Sequence, residues 1–282
     1  MQVDRIVSVF LAQPLLTAGL FRIEPGIPIL MYHSVSDDPE VGVSPYYRLT
    51  TSPARFREQM RWLHKRGYAV IDLLEAQRRL STGMLESERA VVLTFDDGFR
   101  DFATEAWPLL ADFGFSATVF LPTGFIGRTQ QSFKGRACLT WPDVRLLNRR
   151  GVRFGAHTVT HPVLYELSWA DIRRELRDSR RQLEDELGDT VSTFAYPYAF
   201  PQEDGPFVDR MRQELHSQGY VAAVTTALGT ARRGSDALWL RRLPVNETDD
   251  PFLFAAKLLG AYDWVAPLQA FARRARTLAR ET

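Results

Sequence analysis

The sequence predicts an α/β fold in which parallel strands close, or nearly close, into a barrel. Three observations lead there. Seven apolar runs rich in Val, Ile and Phe stand at residues 27–33, 68–71, 90–95, 117–122, 152–156, 191–196 and 220–224. Most are four to eight residues long and lack polar alternation, which is how strands buried on both faces read. Amphipathic helical stretches separate them, and repeated strand–helix alternation builds a parallel sheet. No dinucleotide fingerprint opens any of the helices, which favours a barrel over an open doubly wound sheet.

Residues 6–21 come first. They are mostly apolar, but Gln13 and Pro14 interrupt them, and Asp4 and Arg5 cancel in charge. No small-x-small cleavage site follows, so residues 1–26 are expected to form a structural or interfacial helical segment rather than a leader peptide. The barrel is expected over 27–248 and a helical extension over 249–282. Helix 53–66 places Phe56, Met60 and Leu63 on one stripe, with Ser52 at its N-cap. Helices 102–113, 141–149 and 168–187 end at or near Gly114, Gly151 and Gly188, which supply a left-handed terminal turn. Ser168 and Asp171 offer oxygens to the first turn of the longest helix. The stretch 264–280 reads as a basic amphipathic helix carrying Arg273, Arg274, Arg276 and Arg280. Its Leu268, Phe271 and Leu278 stripe packs on the barrel or meets anionic lipid.

The chain has 282 residues, 45% hydrophobic and 24% charged, with a formal net charge of +1. Such a balance supports a sizeable core in a soluble or peripheral protein and provides no field to recruit nucleic acid. The single cysteine, Cys138, excludes an internal disulfide and a cysteine zinc site; it reads as a small packed residue.

In barrels of this kind chemistry gathers at the C-terminal strand ends, and the polar motifs fall there. Run 90–95 ends in Asp96-Asp97-Gly98. Adjacent carboxylates in extended chain diverge, so one can bind a metal while the other stays free to take a proton; read alone, Asp-Gly is equally a turn pair. Run 152–156 ends in His157-Thr158-Val159-Thr160-His161-Pro162, and two of the chain's five histidines stand there. Spaced by four in a tight turn, they can converge on one ion. An Asp and two His suit Zn²⁺, while Co²⁺, Ni²⁺ and Fe²⁺ also fit. Run 191–196 leads into Tyr196-Pro197-Tyr198, either a sugar-stacking wall with a backbone N–H aimed at the site or aromatic packing. Trp141 and Phe125 carry the same two readings. His33 closes the first run, on the metal's side of the barrel, where a general acid would stand.

Thr94-Phe95-Asp96-Asp97-Gly98 and the His157-to-Pro162 segment resemble the two signature motifs of the polysaccharide deacetylase family, also called carbohydrate esterase family four. The resemblance covers about 27–245 and implies a distorted (β/α)₇ barrel. It implies Asp96 as general base, and Asp97, His157 and His161 as ligands of one divalent ion. Two departures stand out. Ala195 occupies the position of an arginine in the family's third motif, and the C-terminal Leu-x-x-His motif is absent. Both resemble a circularly permuted, exopolysaccharide-directed branch that acts on poly-N-acetylglucosamine and similar polymers. Met31-Tyr32-His33-Ser34-Val35 matches that branch's opening motif and Arg242-Leu243-Pro244-Val245 its closing one. The resemblance thus implies His33 as acid and Arg242 as the arginine beside Asp96.

The implied activity is removal of N-acetyl groups from an acetylated glycan, in exopolysaccharide or lipopolysaccharide assembly. Asp96 takes a proton from water, a charged His33 protonates the departing amine, and the N–H of Tyr198 supports the oxyanion. An O-acetyl esterase or another amide hydrolase is the alternative, and a non-catalytic glycan-binding module would have lost Asp96 or a ligand. The expected setting is the cytoplasm or the cytoplasmic membrane face, with export as the alternative and peripheral membrane contact through the terminal helices.

Overall fold

A computed structural model describes residues 3–20, 24–44, 48–85, 89–199, 204–269 and 271. Seven parallel strands follow one another around a closed barrel: β1 (Ile29–Tyr32), β2 (Ala90–Phe95), β3 (Thr118–Leu121), β4 (Arg153–Ala156), β5 (Thr193–Ala195), β6 (Ala222–Leu228) and β7 (Leu240–Pro244). Each pairs with the next, and β7 closes the ring onto β1 through Leu243↔Leu30 and Pro244↔Met31. Outside the ring lie α1 (Pro53–Lys65), α2 (Leu73–Thr82), α3 (Trp107–Asp112), α4 (Trp141–Arg149), α5 (Trp169–Leu187), α6 (Gly205–Ser217) and α7 (Pro251–Leu258).

Strand periodicity sorts the side chains. Ile29, Val92, Phe120, Ala195, Val224 and Leu240 point inward and fill the lower barrel. Leu30, Leu93, Phe95, Val119, Leu121 and Leu243 point outward under the helices. Phe120 fits because Gly155 lies beside it; a Cβ there would stand 2.5 Å from the Phe120 ring and from Thr193 Oγ1.

Local chemistry sets the helix ends. Ser52 accepts the Arg55 N–H, and Ser168 accepts the Asp171 N–H. Thr140 and Asp143 cap α4 reciprocally, and α5 stops at Gly188 with φ +72°. Residues 102–113, expected as one α-helix, begin as a π-helical turn at Phe102–Ala106 and continue as α3 to Asp112.

The strand count matches the expectation, but the roster differs by one. Run 68–71 supplies only the two-residue strand Ala69–Val70, paired to the first residues of β2. The place in the ring belongs to β7, whose Arg241 and Arg242 break the apolar pattern.

The ends of the described chain meet. Arg5 pairs with Asp250, Tyr262 donates to Asp4, and Trp264 Nε1 donates to Ser8. Lys257 joins α7 to the barrel through Asp249 and the Pro244 carbonyl. Cys138 is buried, and burial pushes its thiol up to about 11. No helix among the described residues is long and apolar enough to cross a membrane. The arginines expected to make 264–280 a basic helix, and Leu278, lie outside the described residues.

Candidate metal centre and active site

The C-terminal strand ends carry the polar residues, as barrel geometry requires. Along β2, Val92, Thr94 and Asp96 share the inward face, so Asp96 rises from the barrel interior. Asp97 follows with φ +69°, a left-handed conformation that only a few per cent of non-glycine residues adopt. That turn swings its carboxylate away from Asp96 and across to the end of β4. Gly98 keeps the turn open, since a Cβ there would meet Leu121 Cδ2 at 2.6 Å.

The two histidines reach the same point from a strained loop. His157 continues β4, and its N–H donates to the Leu121 carbonyl at 3.0 Å. Thr158 and His161 then have φ +66° and +55°. The turn is tied down from three sides. Thr158 Oγ1 accepts the His161 N–H at 3.0 Å. The Thr123 and Gly124 N–H groups donate to the Thr158 and Val159 carbonyls. Glu175, on α5, accepts the N–H groups of Val159 and Thr160 at 2.7 and 3.0 Å. The result brings one donor atom each from Asp97, His157 and His161 within 4.8 Å of one another, all buried.

The donors suit a cation. Asp97 Oδ1 is buried and accepts no hydrogen bond, yet it lies 3.2 Å from His161 Nε2 and 3.7 Å from His157 Nε2. An orphaned buried carboxylate oxygen is costly unless a ligand satisfies it. His157 Nδ1 is 2.7 Å from the Ala195 carbonyl, which fixes Nδ1 as the protonated nitrogen and leaves the Nε2 lone pair free. Burial, then the charge of neighbouring His161, lower His157 to about 4, against Asp96 and Asp97. It is therefore neutral at pH 7, as a metal ligand must be.

Asp96 occupies a different environment. Arg242, on the inward face of β7 and fully buried, grips it bidentately at 2.8 and 2.7 Å. Arg242 is itself held by the Thr225 carbonyl at 2.9 Å and Thr94 Oγ1 at 3.1 Å. Burial alone would raise the Asp96 carboxyl, but the charge and hydrogen bonds of Arg242 outweigh it and hold the pKa below the ordinary value. Its four lone-pair sites leave room for a proton besides the two arginine bonds.

His33 stands half-buried at the end of β1. Desolvation lowers its pKa below 6.5, while Asp97 and Asp96 oppose and Lys134 and Arg242 assist. Desolvation and the two neighbouring cations together exceed the pull of the carboxylates on this imidazole. Tyr198 is 46% exposed, and its ring meets His161 edge-on at 4.6 Å. Pro197 is buried beside it. Tyr196 and Trp141 do not form a sugar wall. Tyr196 falls on the outward face of its strand and is fully buried, with its hydroxyl donating to the Leu238 carbonyl. Trp141, at 8% exposure, packs in the core at the start of α4.

Two groups were not anticipated. One is Glu175, whose helical position gave no hint of the loop it clamps. The other is the hairpin Ser132–Phe133/Arg136–Ala137, which leans over the site. Phe133 packs on His161 at 5.1 Å, and Lys134 Nζ donates to Asp97 Oδ2 at 3.0 Å. A Lys-Gly turn between an aromatic and a basic residue was the available signal.

Residues 85–223 match the family model described as polysaccharide deacetylase. The chain carries a polysaccharide deacetylase domain. His33 and Arg242, which the structure places near Asp96 and Asp97, lie outside the matched span of this deacetylase domain. Among relatives, YxkH of Bacillus subtilis (strain 168), a provisionally named polysaccharide deacetylase, is 28% identical over 220 residues, 78% of this chain and 71% of that protein. The poly-β-1,6-N-acetyl-D-glucosamine N-deacetylase of Escherichia coli (strain K12) is 34% identical over 152 residues. That match covers 54% of this chain and only 19% of the longer relative. The Streptococcus pyogenes deacetylase PplD, solved in complex with acetate, superposes with a TM-score of 0.70 at 28% identity. The superposition covers 84% of this chain and 99% of PplD.

Proposed function

We propose that this deacetylase domain hydrolyses N-acetyl groups on a glycan, releasing acetate and leaving an amine. The observation that carries the reading is the division of labour between adjacent carboxylates. Asp97 turns toward two imidazoles with an unsatisfied oxygen, while Asp96 stays behind, ionised and gripped by Arg242. The relatives support this chemistry: one is named an N-deacetylase of poly-β-1,6-N-acetylglucosamine, and PplD was solved with acetate, the product expected here. Poly-N-acetylglucosamine or a similar N-acetylated polymer is the substrate class we favour. The order His33, Asp96–Asp97, His157–His161, Arg242 supports the permuted arrangement, with acid and arginine outside the metal motifs.

Asp97, His157 and His161 would hold the ion, and Zn²⁺ fits this N/O set best. A divalent ion there supplies Lewis acidity to the acetyl oxygen and lowers the pKa of water. The chain's own groups do the rest. Asp96 accepts the proton of the attacking water, and Arg242 keeps Asp96 ionised until then. The Tyr198 backbone N–H is our assignment for stabilising the oxyanion, a contribution worth several kcal/mol in such sites. His33 then gives a proton to the nitrogen as the C–N bond breaks. Its lowered pKa reduces the protonated fraction but makes each imidazolium a stronger acid toward the amine.

The test is acetate release from N-acetylglucosamine oligomers and from O-acetylated xylan, with and without a chelator. Release from the first, abolished by chelation and restored by Zn²⁺, is the expected result; release from xylan alone would overturn the amide assignment. Asp96→Asn should retain metal while losing ~100-fold or more in turnover, the scale of a lost general base. Near-wild-type turnover would remove Asp96 from its role.

A further inference from the structure

Lys134 is the group at the mouth of the site that the chemistry above leaves unused. It stands at the tip of the hairpin, with φ +50°, and its side chain is 32% exposed. Its Nζ lies 4.7 Å from the Phe133 ring centre and 5.4 Å from that of Tyr198. Cation–π attraction of this kind holds an ammonium in place. From there it donates to Asp97 Oδ2 at 3.0 Å, the one hydrogen bond to that carboxylate among the described residues.

The hairpin carrying it is anchored at its other end. Arg136 donates to Ser34 Oγ at 2.9 Å and Thr50 Oγ1 at 3.0 Å, and pairs with Asp38 at 2.6 Å. Ser34 in turn donates to Asp101. The tip is therefore fixed to the loop that follows β1, and Phe133 presses the same hairpin onto His161.

The two Asp97 oxygens are consequently unlike. Oδ1 faces both Nε2 atoms with no hydrogen bond, and Oδ2 is engaged by an ammonium. A carboxylate free to rotate can offer one oxygen or both to a cation. One whose second oxygen is held by a cation offers the first alone. We propose that Lys134 is a positioning residue that fixes Asp97 as a one-oxygen metal ligand. The inference rests on Asp97, His157 and His161 binding a divalent ion, and it adds a hydrogen-bond partner behind one ligand, a kind of group whose loss typically costs 10–100-fold in metal affinity.

The experiment compares wild type, Lys134→Met and Lys134→Arg, each stripped and reloaded with Zn²⁺ or Co²⁺. Lys134→Met should bind Zn²⁺ about 10-fold or more weakly. The visible bands of its Co²⁺ form should weaken, as they do when a second carboxylate oxygen raises the coordination number. Lys134→Arg, which keeps a cationic donor, should restore both properties toward wild type. Far-UV circular dichroism and the thermal midpoint of the metal-free proteins show whether each variant is folded. A folded Lys134→Met with wild-type Zn²⁺ affinity and an unchanged Co²⁺ spectrum would overturn the role of Lys134. If wild type itself binds neither ion, the metal reading fails instead. If Lys134→Met does not fold, Lys134→Gln, which also removes the charge, takes its place with the same two readouts: weaker Zn²⁺ binding and weakened Co²⁺ bands uphold the role, and wild-type values for both overturn it.

Discussion

The lower and upper halves of the barrel are built on opposite principles. Below, Ile29, Val92, Phe120, Val224 and Leu240 pack as a buried apolar plug. Above, the same inward-facing positions carry Thr94, Arg242, Asp96 and the Asp97–His157–His161 cluster, all buried. Backbone strain follows the same division. Of the six non-glycine residues with positive φ among the described residues, five (Asp97, Lys134, Thr158, His161 and Tyr198) surround the site, and Glu40 lies elsewhere. Strained backbone and buried charge cost free energy and persist where the surroundings over-determine them. The contrast teaches that the lower half supplies stability and the upper half consumes some of it.

Two substitutions should break that contrast from opposite ends, with the largest effects. Arg242→Met leaves Asp96 buried without its cation and should cost about 3–5 kcal/mol of stability. Adding Asp96→Asn removes the stranded charge, so the double variant should be more stable than the two single costs, added together, predict. Urea unfolding of the three proteins measures this, and simple additivity would show that the pair is not a coupled unit. Phe120→Ala empties the lower plug and should cost about 3–5 kcal/mol as well. Because it lies below the polar layer, the folded protein should retain Zn²⁺ affinity and turnover. A tenfold loss of metal affinity in that variant would show that the two halves are not separable.

How legible each half was in the sequence follows the same physics. The plug was readable because apolar runs of strand length report burial on both faces, and six of the seven barrel strands were found that way. The exception, β7, hides behind Arg241 and Arg242. A strand whose inward residue is a buried arginine cannot be recognised by hydropathy, because its burial depends on Asp96, 146 residues away. Run 68–71 misled for the converse reason: it is apolar, but it covers the foot of β2 rather than entering the ring. Asp96, Asp97, His157 and His161 were visible because strand ends locate them and their motifs are specific. Tyr196 was misjudged because its place two residues before Tyr198 says nothing of strand phase, and phase turns it outward. Glu175 and Lys134 act through tertiary contacts, with the 158–160 loop and with Asp97; the Lys-Gly turn could signal the hairpin, but no local pattern names the partners.

A smaller effect sharpens the contrast by titration. In the metal-free protein, His157 is neutral down to about pH 4, held there by burial and by His161. The unfolded chain would protonate it near 6.5. Between those values the unfolded state binds more protons than the folded state, so stability rises with pH in this window. The contribution is complete above pH 6.5 and is lost as pH falls toward 4, by up to about 3 kcal/mol for one group. His33, also lowered by burial, acts in the same direction. Asp101 and Asp249, whose carboxyls burial pushes up, oppose it near the acid end. Asp96 and Asp97 are lowered, so their contribution fades only below the ordinary carboxylate range. Urea unfolding at pH 7, 6 and 5 in the presence of chelator should therefore show falling stability. His157→Gln should flatten that slope, by up to about 1.4 kcal/mol per pH unit. An unchanged slope in His157→Gln would mean that the imidazole titrates alike in the folded and unfolded states. The buried Asp97–His157–His161 group would then not be the strained, charge-avoiding cluster that distinguishes the upper half of the barrel from the lower.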